Sequence, residues 1–201
     1  MEPSAKGAIV MGAVASLRKL RRSGGLTDAQ LAARLSRAAL ELLEQTIEIG
    51  LWYPMASFAE LVEFEWEVAG KRSPDYARTS GAKTADRQFA SGRYQQLEFV
   101  ERTGRAESGS ALLLQAKLIT TITSAFYNFL QTRVSIGPTR PKRLEIVYAN
   151  AAAFPEPLRY ATEGFMNRIN ERQGSTRRWT SGRLAPDRIV YRMELPEHLE
   201  R

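Results

Sequence analysis

The chain of 201 residues is 43% hydrophobic and 25% charged, a composition that is typical of globular proteins and excludes intrinsic disorder. It has no cysteine and one histidine, His198, which excludes disulfide frameworks, thiol catalysis and most zinc or haem sites. The net charge of +7 lies in residues 133–192, which hold 12 lysines or arginines against 5 acids. Such a segment attracts anions or serves as a solvated basic face.

The N-terminal apolar stretch, residues 8–15, imitates an export signal because Ala13-Val14-Ala15 resembles a signal-peptidase site. Its basic cluster, residues 18–22, follows the apolar run instead of preceding it. We therefore expect a protein of the bacterial cytoplasm. Residues 111–130 are the longest apolar stretch, but a lysine and several polar residues interrupt them, so they are predicted to form a buried helix.

The first half of the chain is predicted to be helical. Apolar residues at helical spacing indicate a helix over Gly7–Arg22, and a Ser-Gly-Gly turn ends it. Thr27 and Gln30 form a capping box, which predicts a second helix from residue 28 to about residue 47. Trp52-Tyr53-Pro54 then predicts a turn, because proline disfavours a helical conformation at the residue before it.

A third helix is predicted over residues 57–69, with glutamates on one side and apolar residues on the other. Glu65 falls at the centre of the apolar side, where an isolated charge would be costly. Two explanations remain open. The carboxylate pairs with an arginine or lysine in the core, or it projects into a cavity.

The middle of the chain is predicted to hold three further helices. Two of them, residues 75–89 and 94–100, lie in a polar segment that glycines interrupt. The third, residues 110–130, has a broad apolar face, which implies burial against several neighbours. We predict that it is the central helix of the fold.

After residue 132 the periodicity of the apolar residues changes. Alternation predicts strands at 134–136 and 144–148. Residues 155–172 form an amphipathic helix, in which Gly164 permits close packing against a neighbour. These two strands and this helix are the first elements of a C-terminal unit that contains both strands and a helix.

A hairpin of residues 176–184 and 188–195 completes that unit. Its buried face is predicted to include Ile189, Tyr191 and Met193. We predict an α+β fold that forms a single domain over residues 1–201. A helical N-terminal part, residues 7–131, packs on a small, mostly antiparallel four-stranded sheet with one helix, ordered β-β-α-β-β over residues 133–195.

Short motifs in this order resemble a known family. Lys6-Gly7 opens the first helix, Gly50-x-Trp52-Tyr53-Pro54-x-x-x-Phe58-x-x-Leu61 leads into another, and a glycine-bearing helix precedes the last hairpin. The arrangement resembles a paralogous family of uncharacterised proteins common in myxobacteria. That family is similar in outline to the haem-nitric-oxide-binding and 4-vinyl-reductase-like sensor domains, in which a helical half closes over a small sheet to form a ligand pocket.

The chain departs from these sensor domains in its cofactor residues. The haem sensors hold iron through a histidine on a helix, and some 4-vinyl-reductase domains carry cysteines, whereas this chain has only His198. The resemblance therefore implies a non-enzymatic small-molecule-binding or signalling protein without haem, metal or another cofactor. The candidate pocket residues are Tyr53, Glu65, Phe126 and Phe165. Aromatic residues at these spacings are also common in ordinary cores.

The basic hairpin is a second candidate site. Its anion-facing surface would comprise Arg177, Arg178, Arg183, Arg188 and Arg192. Trp179 lies between the first two, a mixture typical of single-stranded nucleic-acid binding. Strand alternation argues against one face for all five arginines. Two alternatives therefore remain. One is a nucleic-acid or anion-binding module, which could equally take an acidic protein partner. The other is an enzyme using serine or carboxylate chemistry, although no phosphate loop, zinc spacing or nucleophile elbow is present.

Overall fold

The structure is a computed structural model that describes residues 1–90, 109–137 and 141–195. Its helices are α1 (Gly7–Arg22), α2 (Asp28–Arg34), α3 (Arg37–Glu44), α4 (Met55–Val68), α5 (Pro74–Ala90), α6 (Gly109–Phe126) and α7 (Glu156–Arg172). Its strands are β1 (Ser4–Lys6), β2 (Trp52–Pro54), β3 (Gln131–Ile136), β4 (Arg143–Ala149), β5 (Thr180–Ala185) and β6 (Arg188–Glu194), and a 3₁₀ turn covers Ala151–Ala153. None of these helices is long and apolar enough to cross a membrane. The helix predicted at 94–100 and His198 lie outside the described residues.

The C-terminal unit has the predicted β-β-α-β-β order, and the α+β fold class is confirmed. Its four-stranded antiparallel sheet has the spatial order β3-β4-β6-β5. The inner face of the sheet, which packs on the helices, is apolar: Leu144, Ile146, Tyr148, Ile189, Tyr191 and Met193 are each at most 1% exposed. The alternate residues form the outer face. β5 begins at Thr180 instead of at the predicted residue 176.

A second sheet was not predicted. β1 and β2 pair antiparallel, so Trp52-Tyr53-Pro54 is a strand and the predicted turn is wrong. The backbone N–H of Met55 donates to Pro3 (2.8 Å), which ties the chain's start to α4. Gly7 is required beside this sheet, because a Cβ there would lie 1.9 Å from the Glu48 carbonyl oxygen. Three-residue strands are too short to show alternation in the sequence.

The helix predicted from residue 28 to about 47 is two helices. The capping box is confirmed at the start of α2, where the backbone N–H of Gln30 donates to the Thr27 hydroxyl (3.2 Å). The chain then turns out of the helix at Leu35, which is extended, and Ser36 caps α3. Glu60 of α4 accepts hydrogen bonds from the Ser36 backbone N–H (2.7 Å) and hydroxyl (2.9 Å). This tertiary contact favours a break that apolar periodicity does not reveal.

The described part of the chain has two apolar clusters. The main core joins α1, α3, α4 and α6 to the inner face of the sheet. The second cluster lies between α5, α6 and α7, where Ala85, Phe89 and Ile169 are buried. Leu118, Ile122 and Phe165 pack against that second cluster.

Helices α5 and α7 meet with their backbones almost in contact. A Cβ at Gly81 would lie 1.8 Å from the Ala161 carbonyl oxygen, and one at Gly164 would lie 2.0 Å from the Arg78 carbonyl oxygen. The close packing predicted for Gly164 is therefore confirmed. Ion pairs flank the contact, including Arg78–Glu163 (2.6 Å). Only glycine fits at these two positions without moving a helix.

Substitution Gly164→Ala should force α5 and α7 apart and lower the free energy of unfolding by about 2 kcal/mol, as overpacking does elsewhere. Gly12→Ala is the matched control, because a Cβ there meets no atom within 4 Å. The control should raise the free energy of unfolding by about 0.5–1 kcal/mol through helix propensity. Urea denaturation measures both values, and equal effects of the two substitutions would contradict the backbone contact.

Candidate functional site

The aromatic residues predicted to line a pocket lie in different clusters. Tyr53 is buried on β2, where its hydroxyl oxygen accepts a hydrogen bond from the Glu48 backbone N–H (2.8 Å). Phe126, the last residue of α6, packs against the main core. Phe165 on α7 packs against the second cluster. Each of them takes part in ordinary core packing, and a ligand contact for any of them stays a prediction.

Glu65 on α4 is bonded to hydroxyl groups. Its Oε1 accepts hydrogen bonds from the Ser16 hydroxyl (2.7 Å) and the Tyr76 hydroxyl (3.0 Å). Among the described residues, no arginine or lysine pairs with Glu65. The predicted core ion pair is therefore absent from the part of the chain that the structure describes. Burial raises the pKa of Glu65 although both hydrogen bonds oppose the change. Burial first, and then the Glu65 charge, raises the pKa of Tyr76 to about 12.

The five arginines of the C-terminal segment divide between the two faces of the sheet. Arg183 lies opposite Ile189 and shares the inner face with it. It pairs with Glu156 (2.6 Å) and donates to the carbonyl oxygens of Ala151 and Pro186. Its predicted place on an anion-facing surface is therefore wrong, because the pairing register turns this side chain towards the start of α7.

Arg188 and Arg192 lie on the outer face but at different ends of the hairpin. Arg192 is opposite Thr180 and pairs with Glu145 (2.8 Å) on the neighbouring strand. Arg188 is exposed and is opposite Ala185, beside the turn. Four residues of extended strand separate the two by about 13 Å. Arg188 does not line the concave site beside Arg192.

A concave site of about 580 Å³ lies on the outer face beside Arg192. We call it the arginine pocket, and it is lined by Arg143, Thr176, Arg177, Arg178, Thr180, Arg192 and Glu194. Three of the arginines have carboxylate partners, in the pairs Arg143–Glu194, Arg178–Glu171 and Arg192–Glu145. Arg177 has no carboxylate partner among the described residues. Its Nη1 donates to the Glu194 carbonyl oxygen (3.0 Å), and its buried Nε has no acceptor there.

Two asparagines of α7 fix the backbone at the rim of the arginine pocket. The side-chain amide of Asn170 donates to the Arg177 carbonyl oxygen (3.0 Å). Asn167 accepts from the Trp179 backbone N–H (2.6 Å) and donates to the Trp179 carbonyl oxygen (3.1 Å). Buried Gln115 on α6 donates to Asn170 (2.7 Å). None of these three amides was predicted from the sequence, although Gln115, a polar residue beside the broad apolar face of residues 110–130, was a detectable signal.

Trp179 faces the core and not solvent. It is 1% exposed and belongs to the main core. A buried indole cannot stack on a nucleic-acid base, so the predicted combination of Trp179 with its flanking arginines as a stacking site is wrong. Residue 179 precedes β5, and the asparagine contacts of α7 turn its side chain inward.

Aromatic rings pack together in the region between the helices and the inner face. Tyr148 contacts Tyr191 and Phe154 with ring centroids 5.0 and 5.9 Å apart, and Phe154 contacts Tyr127 at 5.1 Å. Burial raises the pKa of all three tyrosines, so they remain protonated phenols at neutral pH. Tyr148 is hydrogen-bonded to Thr123 (2.7 Å).

Two buried donors beside this aromatic cluster lack partners. The Tyr191 hydroxyl and Trp179 Nε1 make no hydrogen bond of normal geometry among the described residues. The Thr162 hydroxyl near Tyr191 donates instead to the Leu158 carbonyl oxygen (2.8 Å). No group of histidine, cysteine, aspartate or glutamate residues within residues 1–90, 109–137 and 141–195 is arranged to hold a metal ion.

Comparison with known proteins identifies the fold. No family model and no curated protein matches the chain. Among solved structures, an Fe(II) unliganded H-NOX protein from K. algicida is 14% identical with a TM-score of 0.57, covering 97% of this chain and 98% of that one. An H-NOX variant from T. tengcongensis is 14% identical with a TM-score of 0.53, covering 94% of this chain and 96% of that one.

A third similar structure is an oxygen-binding H-NOX domain related to soluble guanylate cyclases, in its oxygen complex. It is 13% identical with a TM-score of 0.51, and 94% of each chain is covered. At this identity the similarity establishes the fold alone. The predicted likeness to haem-nitric-oxide-binding sensor domains is therefore confirmed as an H-NOX-like fold over nearly the whole chain.

The raised pKa of Glu65 predicts a specific pH dependence of stability. Between the ordinary value of 4.5 and the raised value, the folded chain keeps a proton that the unfolded chain has released. The stabilisation that the Glu65 carboxyl contributes is present below this pH range. It is lost as the pH rises through the range, by at most about 1.4 kcal/mol per pH unit.

Glu65→Gln should remove this component while its amide oxygen still accepts from Ser16 and Tyr76. Glu63→Gln, an exposed position on the same helix, should keep the wild-type profile. Urea denaturation between about pH 4 and pH 7 measures the difference. Identical pH profiles for wild type and Glu65→Gln would show that burial does not shift this carboxyl.

Proposed function

We propose that this chain is a non-enzymatic, small-molecule-binding sensory or signalling domain that does not use haem. One observation carries the proposal. The H-NOX-like fold extends over nearly the whole chain, while the described interior offers no histidine, no cysteine and no metal-binding group of acids. We also propose that the chain is a member of the myxobacterial family that its motifs resemble, and that it acts in the bacterial cytoplasm.

The described residues do not fit a haem group held through histidine, cysteine thiolate or tyrosinate. Haem iron in proteins is held by histidine, cysteine thiolate, methionine or tyrosinate. The only histidine, His198, lies outside the described residues, and there is no cysteine. The interior tyrosines have raised pKa values through burial, and a protonated phenol is a poor iron ligand.

The unpartnered donors of Tyr191 and Trp179 are the interior contacts we assign to a ligand. Native proteins leave few buried polar groups unsatisfied, because each costs about 1–3 kcal/mol. Both side chains lie in the main core beneath the final hairpin. A small, largely apolar molecule with one or two acceptor atoms would satisfy them. Tyr53, Glu65, Phe126 and Phe165 remain proposed contacts of the same interior.

The alternatives receive less support from the same residues. A single-stranded nucleic-acid site loses its stacking group, since Trp179 is buried. For an enzyme that uses carboxylates, Glu156 and Glu163 on the helix beside the sheet are already paired with arginines, and Glu65 is bonded to the Ser16 and Tyr76 hydroxyls.

Titration of the purified chain with haem tests the cofactor part of the proposal. We expect no stoichiometric Soret band in either oxidation state, and the same spectrum for His198→Ala. The substitution removes the only imidazole and is therefore the matched control. A stoichiometric Soret band would contradict a haem-free domain, and its loss in His198→Ala would identify the iron ligand.

Paired hydroxyl deletions test the interior ligand site. Tyr191→Phe removes an unpartnered hydroxyl and should leave the free energy of unfolding of the ligand-free chain unchanged or higher. Tyr148→Phe breaks a hydrogen bond to Thr123 and should lower it by about 1 kcal/mol. In native mass spectrometry a co-purified small molecule should be retained by Tyr148→Phe and lost by Tyr191→Phe. A small molecule that both variants retain would contradict this site.

A further inference from the structure

The arginine pocket has the charge of an anion site. Its lining holds four arginines and one acid, Glu194. Counting Glu145 and Glu171, which pair with Arg192 and Arg178 from outside the lining, the balance is still positive by one. The unbalanced charge belongs to Arg177, whose guanidinium contacts only a carbonyl oxygen among the described residues. The three ion pairs are partly exposed, and such pairs are individually weak in water.

The pocket is also fixed in shape. The segment that carries Arg177 and Arg178 is held on both sides by amide contacts from Asn170 and Asn167 of α7. Asn170 is buried and is bonded in turn to buried Gln115. Arg192 and Arg143 project from paired strands of the sheet. A ligand therefore meets arginines on a backbone that is already ordered, which lowers the entropy cost of binding.

The size of the pocket favours a small molecule over a polymer. A volume of about 580 Å³ lies in the usual range of ligand pockets. The other outer-face arginines, Arg133 and Arg188, lie outside its lining, and Trp179 is buried. A nucleic-acid strand would need cationic side chains in a continuous track and exposed aromatic rings. The arginine pocket instead brings four arginines together in one concave place.

We propose that the arginine pocket is a binding site for a small phosphate-bearing anion. Arg177 supplies the unpaired charge, and the Thr176 hydroxyl is a further donor in the lining, whereas the Thr180 hydroxyl donates to the Arg192 carbonyl oxygen (3.4 Å). Arg178 and Arg192 exchange a partly exposed carboxylate for phosphate oxygens, which guanidinium groups bind in bidentate geometry. This ligand class refines the proposed small-molecule-binding function. Because the arginine pocket is separate from the interior, only the sensory purpose of anion binding rests on the proposed function.

Calorimetric titration of the full 201-residue chain with inorganic pyrophosphate at low salt tests this site. We expect one saturable site, and binding weaker by about tenfold in Arg177→Gln, the change expected from loss of one charge-assisted hydrogen bond. Arg178→Gln should also weaken binding. Because the Arg178 side chain is exposed, this second variant still tests the site if Arg177→Gln folds poorly. Arg133→Gln and Arg188→Gln remove the same charge from the same face outside the pocket and should bind as the wild type does.

Three results would overturn the site. One is the absence of saturable pyrophosphate binding by the wild type. A second is equal weakening by the pocket variants and by Arg133→Gln or Arg188→Gln, which would indicate only a general field. A third is binding of a single-stranded oligonucleotide or of anionic lipid vesicles that is tighter than pyrophosphate binding. In that result the control substitutions would weaken this binding as much as Arg177→Gln does. None of these results depends on haem binding, so this inference and the proposed function fail separately.

Discussion

The close approach of α5 and α7 is the constraint on which the C-terminal half depends. Gly81 and Gly164 let the two backbones nearly touch, and this fixes where α7 lies against the sheet. α7 also places Asn167 and Asn170 against the segment before β5. Those amide contacts turn Trp179 into the core and hold Arg177 at the rim of the arginine pocket. The close backbone approach at the two glycines thus positions polar groups at the arginine pocket.

We propose that this chain uses the H-NOX-like fold to bind a small molecule without iron. The similar structures include an Fe(II) protein and an oxygen complex. In this chain Tyr148, Phe154 and Tyr191 lie under the sheet, and the described residues offer no imidazole or thiolate. Two donors, on Tyr191 and Trp179, remain unpartnered inside. The proposed function combines the H-NOX-like fold with an interior that offers these donors and no imidazole or thiolate among the described residues.

Local patterns predicted the fold well, whereas the partners of individual side chains were not predictable. Helix α1, the capping box at Thr27 and the order of the C-terminal strands depend on short-range periodicity and were correct. The partners of Glu65 are hydroxyls on two other helices, and Arg183 is placed by strand register and by the start of α7. Such contacts join residues far apart in the chain, so no local pattern encodes them. Buried Gln115 was the exception, since a polar residue beside the broad apolar face of residues 110–130 was visible in the sequence.

On the proposed function, this H-NOX-like domain binds a small molecule without iron. The decisive measurement is a crystal structure of the full chain grown with pyrophosphate, with diffraction recorded at the iron absorption edge. We expect pyrophosphate in contact with Arg177 in the arginine pocket and no anomalous iron peak anywhere in the interior. An iron peak between the helices and the inner face of the sheet, with no anion beside Arg177, would contradict this expectation.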